Sequence, residues 1–146
     1  MKVIHWLSAG ALLASVGAAP AVAQETLVAP GPRGDLAGTL VAPAEGQPLV
    51  LIIPGSGPTD RDGNSPLGVT AAPYRLLADA LAERGIGTLR IDKRGMFASK
   101  AAVADANAVT IADYVTDTAS WVGAARTATG AECLWLLGHS EGGIVA

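Results

Sequence analysis

Short aliphatic runs alternate with stretches of helical periodicity over most of this chain. Leu49–Ile53, Ile86–Ile91 and Cys133–Leu137 are apolar runs that end at turn-forming or charged residues, which is typical of strands buried on both faces of a parallel sheet. The segments between them repeat apolar residues at helical spacing, and such alternation predicts a parallel sheet with right-handed crossovers. The two predicted helical stripes are Tyr74, Leu77, Ala78 and Leu81, and Ile111, Tyr114, Val115, Thr118, Trp121, Val122 and Ala125.

Turn and cap residues mark the ends of these elements. Gly85 and Gly130 follow the helical stripes, as expected for helix C-termini. Thr110 precedes the second stripe, and Asp113 three residues later is a relative of the capping box. Before the first aliphatic run, a turn rich in Pro and Gly separates two short strands, Thr26–Ala29 and Leu36–Ala42, and this predicts an N-terminal hairpin.

The first 23 residues have the three-part pattern of an export signal. Lys2 supplies the positive start, Trp6–Ala19 is a short apolar run, and Ala21–Ala23 supplies the small residues of a cleavage site. We expect cleavage after Ala23, a periplasmic or secreted protein, and no stable membrane insertion afterwards. An uncleaved membrane anchor is the alternative. Residues 24–146 then form one partial domain.

Charge and cysteine content narrow the function classes. The chain has 10 basic and 13 acidic residues and no basic patch, so no nucleic-acid partner is expected. The single cysteine, Cys133, cannot form an internal disulfide, and its apolar surroundings predict a buried core residue. Nothing near it in sequence would lower the pKa of its thiol, which argues against a thiol nucleophile.

The sequence Gly-His-Ser-Glu-Gly at 138–142 directly follows the last aliphatic run. A serine on a tight strand-to-helix turn has its hydroxyl raised above the sheet edge, and small residues two positions away avoid a collision with the crossing chain. We therefore predict Ser140 as a nucleophile and the backbone N–H of Glu141 as an oxyanion donor. The alternative is a chance match, because the chain contains 18 glycines.

A second glycine-rich turn, Pro-Gly-Ser-Gly at 54–57, follows the first aliphatic run. In the architecture that the serine pattern suggests, the loop after the third strand supplies another oxyanion N–H. We assign this donor to Ser56, with Gly57 as the alternative. Without Ser140, the same four residues would be read as an ordinary tight turn.

Three segments together resemble the α/β-hydrolase superfamily, and within it the bacterial esterase and serine-aminopeptidase-like (dienelactone-hydrolase-like) group. They are residues 54–64 (PGSGPTDRDGN), 89–95 (LRIDKRG) and 138–143 (GHSEGG). The resemblance implies the N-terminal part of an α/β-hydrolase fold, ending at the nucleophile turn, and a small-molecule ester or amide substrate, with no cofactor and no metal. Pro54 stands where many members carry His. The resemblance further implies that Asp60, Arg61 and Asp62 shape the mouth of the site, and that Asp92 and Arg94 brace the loop after the fourth strand.

A complete catalytic triad is not expected in this chain. In this fold the order is Ser, then Asp or Glu, then His, and only six residues follow Ser140. His5 falls in the export signal, and the ring of His139 is expected to point away from the Ser140 hydroxyl. We therefore expect a truncated, inactive fragment of an enzyme that transfers acyl groups through Ser140. The alternative is a non-catalytic binding protein or pseudoenzyme.

Two ligand-binding alternatives fit the residues less well. A dinucleotide-binding domain would use Gly55, Gly57 and Asp92, but the third glycine is missing and prolines follow where a phosphate-binding helix must begin. A calcium loop over 60–65 has its glycine at the fourth position rather than the sixth, and Ala71 in place of the closing glutamate.

Overall fold

The computed structural model describes residues 23–146. Its strands are β1 (Glu25–Pro30), β2 (Asp35–Val41), β3 (Leu49–Ile53), β4 (Gly87–Ile91) and β5 (Leu134–Gly138). Its α-helices are α1 (Pro73–Ala82), α2 (Ile111–Thr129) and α3 (Glu141–Val145), and two short 3-10 helices, Phe97–Ala102 and Ala106–Ala108, lie between β4 and α2. Apart from Ala23, the predicted export signal lies outside the described residues and stays a prediction.

The five strands form one mixed sheet in the order β1-β2-β4-β3-β5. β1 pairs antiparallel with β2 and β2 with β4, whereas β3 lies parallel between β4 and β5. The predicted N-terminal hairpin and the alternating strands and helices are therefore confirmed. Because the carboxyl ends of parallel strands meet at one edge, the segments that follow β3, β4 and β5 converge there.

The core lies on both faces of the two inner parallel strands. All five residues of β3 and all five of β4 are buried. Leu51 and Ile53 belong to a cluster that includes Trp121 of α2, whereas Ile52 packs with Tyr74 of α1 on the other face. The continuous aliphatic run of β3 follows from this two-sided burial.

Helix α2 has the ends that its sequence predicts. The Thr110 hydroxyl accepts a hydrogen bond from the Asp113 amide, and the Asp113 carboxylate accepts one from the Thr110 amide, which completes a capping box. Gly130 ends the helix with φ 66°. Helix α1 ends earlier than expected, at Ala82, and Gly85 (φ 74°) lies in the turn that follows.

Strand β5 lies at the end of the sheet, with β3 as its single neighbour among the described residues. Trp135, Leu136 and Leu137 consequently remain 62%, 37% and 36% exposed. The prediction that Cys133 is a buried core residue is wrong, because Cys133 is exposed. It directly precedes β5, and a strand covered on one side alone does not enclose its residues.

Candidate active site

Ser140 lies in the sharp turn between β5 and α3, and its residue is exposed. Its backbone has φ 53° and ψ −118°, a strained conformation that few non-glycine residues adopt. Hydrogen bonds hold the turn on both sides: the His139 amide donates to the Ile53 carbonyl (3.1 Å), and the Gly143 amide donates to the Ser140 carbonyl (2.9 Å). The surrounding structure therefore stabilises the strained residue.

Two glycines allow this turn to pack tightly. A Cβ atom on Gly138 would collide with the backbone of Gly142, and a Cβ atom on Gly142 would collide with the carbonyl oxygen of Ile53. The expectation that small residues two positions before and after the serine relieve backbone crowding is confirmed. Gly142 in particular lets α3 lie directly against the end of β3.

The glycine turn after β3 lies against the serine turn. A Cβ atom on Gly55 would be 3.3 Å from Cβ of Ser140 and 2.9 Å from Nδ1 of His139. Within residues 23–146, the amide groups of Ser56 and Gly57 donate no hydrogen bond. Ser56 and Ser140 both line one cavity of about 280 Å³, whereas Gly57 is not part of its lining.

Tyr74 links these two turns through its hydroxyl group. The oxygen lies 2.8 Å from Nδ1 of His139 and accepts a hydrogen bond of 3.4 Å from the Gly55 amide. Burial raises the pKa of Tyr74; the charge of Asp60 adds to the rise and the Gly55 amide partly offsets it. Sequence reasoning assigned Tyr74 to the core alone, because its helical spacing reports packing and not hydrogen bonding.

Lys93 also contacts both turns, although sequence reasoning gave it no role. Its side chain is 4% exposed, and Nζ donates to the Gly55 carbonyl oxygen (2.6 Å) and to Oε1 of Glu141 (3.1 Å). The ring of Tyr114 lies 5.1 Å from Nζ, a cation–π distance. The one sequence signal for a role in the site was the position of Lys93 directly after Asp92, at the carboxyl end of a buried strand.

Asp60, Arg61 and Asp62 anchor the loop after β3 and do not line the cavity. Asp60 accepts hydrogen bonds from the amides of Asp62 (2.9 Å) and Asn64 (2.7 Å). Arg61 donates to Asp92 through Nη2 (2.7 Å) and Nε (3.1 Å). Asp62 pairs with the buried guanidinium of Arg90, while their neighbours Thr59 and Gly63 line the cavity.

Arg94 ties the loop after β4 to α2, as the resemblance implied. Its guanidinium binds Asp117 through Nη2 (2.5 Å) and Nε (2.6 Å), and Nη1 lies 3.0 Å from Asp113. The hydrogen bonds that Arg94 donates to the Asp117 carboxylate raise the pKa of Arg94. The amide and hydroxyl of Thr110 lower the pKa of Asp113.

Several kinds of site do not occur within residues 23–146. No cluster of three metal-ligating side chains is found in this range. The glycine turn at 55–57 leads into a long loop and α1 begins at Pro73, so no helix directly follows the turn as a dinucleotide site requires. Over the same residues, no helix combines the length and apolar character needed to span a bilayer.

Comparisons with solved structures place this architecture among α/β hydrolases. An esterase from an Arctic intertidal metagenomic library is 21% identical with a TM-score of 0.62, over 84% of this chain and 52% of its own. A lidless serine hydrolase from Xanthomonas campestris is 21% identical with a TM-score of 0.60, over 84% of this chain and 53% of its own. Dienelactone hydrolase from Anabaena variabilis is 21% identical with a TM-score of 0.58, over 85% of this chain and 55% of its own.

The chain thus spans about half the length of these solved structures. No curated protein sequence matches it. The profile of one family, described as serine aminopeptidase S33, matches residues 67–146, which is more than half of the chain and includes Tyr74, Lys93 and the turn at Ser140. The chain belongs to the S33 serine aminopeptidase family of α/β hydrolases.

Proposed function

We propose that this chain carries the nucleophile and the oxyanion donors of a serine hydrolase that cleaves small carboxylic esters. One observation carries the proposal: Ser140 is exposed at φ 53°, ψ −118°, in the turn that follows β5 and beside the glycine turn at Gly55. An exposed serine does not require a strained backbone for packing. The strain has a function if the turn presents the Ser140 hydroxyl to a substrate.

The proposed reaction is acyl transfer in two steps. The Ser140 oxygen attacks the ester carbonyl carbon while its proton passes to a base, and the alcohol leaves with a proton from that base. Water then hydrolyses the acyl-enzyme. The base is proposed to be a histidine, oriented by a carboxylate, outside residues 23–146, because His139 is the one histidine in that range and makes no hydrogen bond to the Ser140 hydroxyl.

The negative charge on the substrate oxygen is proposed to be stabilised by the backbone amides of Ser56 and Glu141. The amides of Ser56 and Gly57 both donate no hydrogen bond within the described range, but of the two only Ser56 shares a cavity with Ser140, which favours Ser56. The Glu141 amide belongs to the first residue of α3, so no earlier carbonyl group of the helix can accept its hydrogen bond. Two amides aimed at one point are the usual oxyanion arrangement.

Amide bonds of short peptides are a second candidate for the scissile bond. The matching family is described as a serine aminopeptidase family, and the same nucleophile and oxyanion donors serve both reactions. The cavity of about 280 Å³ beside Ser140 supports a small acyl group in either case.

A fluorophosphonate probe tests the nucleophile in the protein expressed from its complete reading frame. We expect the probe to label Ser140, as located by peptide mass spectrometry, and Ser140→Ala to abolish both labelling and p-nitrophenyl ester hydrolysis. Ser120→Ala, on α2, is the matched control and should leave both intact. Comparison of p-nitrophenyl esters with aminoacyl p-nitroanilides separates esterase from aminopeptidase activity.

Two results would contradict the proposal. Labelling at a residue other than Ser140 would assign the nucleophile elsewhere. A folded protein that neither labels nor hydrolyses any of these substrates would favour a non-catalytic binding function.

A further inference from the structure

Lys93 makes its contacts behind the cavity that Ser140 and Ser56 line, and it is not itself part of that lining. Its ammonium group is 2.6 Å from the Gly55 carbonyl oxygen, 3.1 Å from the Glu141 carboxylate and 5.1 Å from the centre of the Tyr114 ring. An ammonium group has three protons. Two of them are donated to the carbonyl and the carboxylate, and the face of the Tyr114 ring lies at a cation–π distance from the charge.

The contact with Gly55 controls the direction of the next amide. The Gly55 carbonyl and the Ser56 N–H belong to one planar trans peptide group, in which C=O and N–H point in opposite directions. When Lys93 holds the carbonyl on its own side, the Ser56 N–H must point to the opposite side. Gly55 is further fixed through its own N–H, which donates to the Tyr74 hydroxyl.

We propose that Lys93 is a positioning residue that aligns the Ser56 N–H with the oxyanion, an inference that rests on the proposed hydrolase function. Lys93 also joins the two oxyanion segments, because it binds Gly55 of one and the side chain of Glu141 in the other. An ion pair between Lys93 and Glu141 that served stability alone would not need the additional contact with the Gly55 carbonyl. The carbonyl contact, at 2.6 Å, is shorter than the carboxylate contact at 3.1 Å.

Lys93→Met in the protein expressed from its complete reading frame tests this role. Removal of a whole oxyanion donor costs about 10²–10³-fold in kcat, so a misaligned donor should cost about 10- to 100-fold. KM should stay within about threefold, because the donor acts on the transition state and not on the bound ester. Affinity for an alkyl boronic acid, which forms a tetrahedral adduct on Ser140, should fall in parallel with kcat.

Two further variants separate alignment from stability. Lys93→Arg keeps a long cationic donor and should recover most of the lost kcat. Arg94→Lys is the matched control: the neighbouring buried cation binds Asp117 and not Gly55, so this change should lower the melting temperature while kcat stays within about twofold. If Lys93→Met does not fold, Lys93→Gln replaces it, since the glutamine side chain is polar but uncharged and one bond shorter than that of lysine.

The outcomes distinguish this inference from the proposed function. Labelling of wild-type Ser140 together with a folded Lys93→Met or Lys93→Gln that keeps wild-type kcat and boronate affinity would overturn the role of Lys93 alone. An equal loss of kcat in Arg94→Lys would also overturn it, since the effect would then follow stability. Absence of labelling and hydrolysis in the wild type would contradict the proposed function itself.

Discussion

The hydroxyl oxygen of Tyr74 bridges two turns that come from different strands: it lies 2.8 Å from Nδ1 of His139 and 3.4 Å from the amide of Gly55. His139 precedes the proposed nucleophile, and Gly55 precedes the proposed oxyanion donor Ser56. The two turns are thus held at a fixed separation by one buried phenol. Removal of the hydroxyl group alone should loosen both turns without changing the packing of the Tyr74 ring.

Tyr74→Phe is expected to reduce the free energy of unfolding by about 1–2 kcal/mol, because the buried Gly55 amide loses its acceptor. Labelling of Ser140 by a fluorophosphonate should also become slower. Urea unfolding and labelling kinetics measure the two effects. Tyr114→Phe is the comparison, since the Tyr114 hydroxyl makes no hydrogen bond within residues 23–146 and its loss should cost less stability. Equal losses in the two variants would argue against a bridging role for Tyr74.

Gly142→Ala should destabilise the protein by about 1–3 kcal/mol or prevent folding, because the new methyl group would meet the Ile53 carbonyl oxygen. Backbone atoms cannot move aside as a flexible side chain does. Thermal unfolding and soluble yield measure the effect.

Gly143→Ala is the matched control one residue further along α3. A Cβ atom there has its nearest neighbour at 3.6 Å, the carbonyl oxygen of Gly138, which is an ordinary contact. We expect unchanged stability or a gain of up to about 1 kcal/mol from the better helix propensity of alanine. Similar behaviour of the two variants would show that the crowding at Gly142 is not what requires glycine.

The strands and the capped helix could be predicted because their signals are local. A run such as Leu49–Ile53 has no polar face, so it fits only a strand buried on both sides. Thr110 and Asp113 bond to each other's backbone three residues apart, which the sequence spacing already implies. Gly138 was predictable for the same reason, since an added Cβ atom there would meet the backbone of Gly142 in the same turn.

Features that depend on the order of strands could not be predicted. Cys133 and Leu137 look like core residues in sequence, yet they are exposed because β3 alone adjoins β5 in the described residues. Leu77, Ile111 and Val115 fit helical stripes but are 37%, 37% and 46% exposed, because periodicity does not tell how far a neighbouring layer extends. Lys93 was missed since its partner Gly55 is 38 residues away.

Asp92→Asn should reduce the free energy of unfolding by about 3 kcal/mol. The Asp92 side chain is 3% exposed and accepts hydrogen bonds from the Arg61 amide (2.9 Å), the Arg61 guanidinium (2.7 Å) and the Ala98 amide (3.1 Å). An asparagine would turn an NH2 group toward a donor and leave the Arg61 charge without its partner. Denaturant unfolding followed by circular dichroism measures the loss.

Asp79→Asn is the control for Asp92→Asn, because Asp79 is exposed on α1 and its carboxylate makes no hydrogen bond within the described part of the chain. The free energy of unfolding of Asp79→Asn should differ from that of the wild type by less than about 0.5 kcal/mol. A comparable loss at both positions would indicate that net charge, and not the bonds to Arg61 and Ala98, determines the effect.

Acid should remove the stabilisation that Asp113 contributes at the start of α2. The Thr110 amide and hydroxyl, each 2.8 Å from Oδ2, lower the pKa of Asp113 below its ordinary value, and Arg94 lowers it further. A carboxylate whose pKa is lower in the folded state stabilises the protein at neutral pH. This contribution is fully present above the ordinary pKa of an aspartate carboxyl, and it should be lost as the pH falls below that value and through the lower folded pKa.

Asp113→Asn should therefore be less stable than wild type at pH 7, and the difference should shrink as the pH is lowered. Urea unfolding at half-unit pH steps measures it. Glu83→Gln, an exposed carboxylate on the turn after α1 with no side-chain hydrogen bond among the described residues, should leave the acid slope unchanged. A wild-type slope in Asp113→Asn would mean that the bonds from Thr110 stabilise the helix start equally well without the charge, and that acid unfolding begins at another carboxylate.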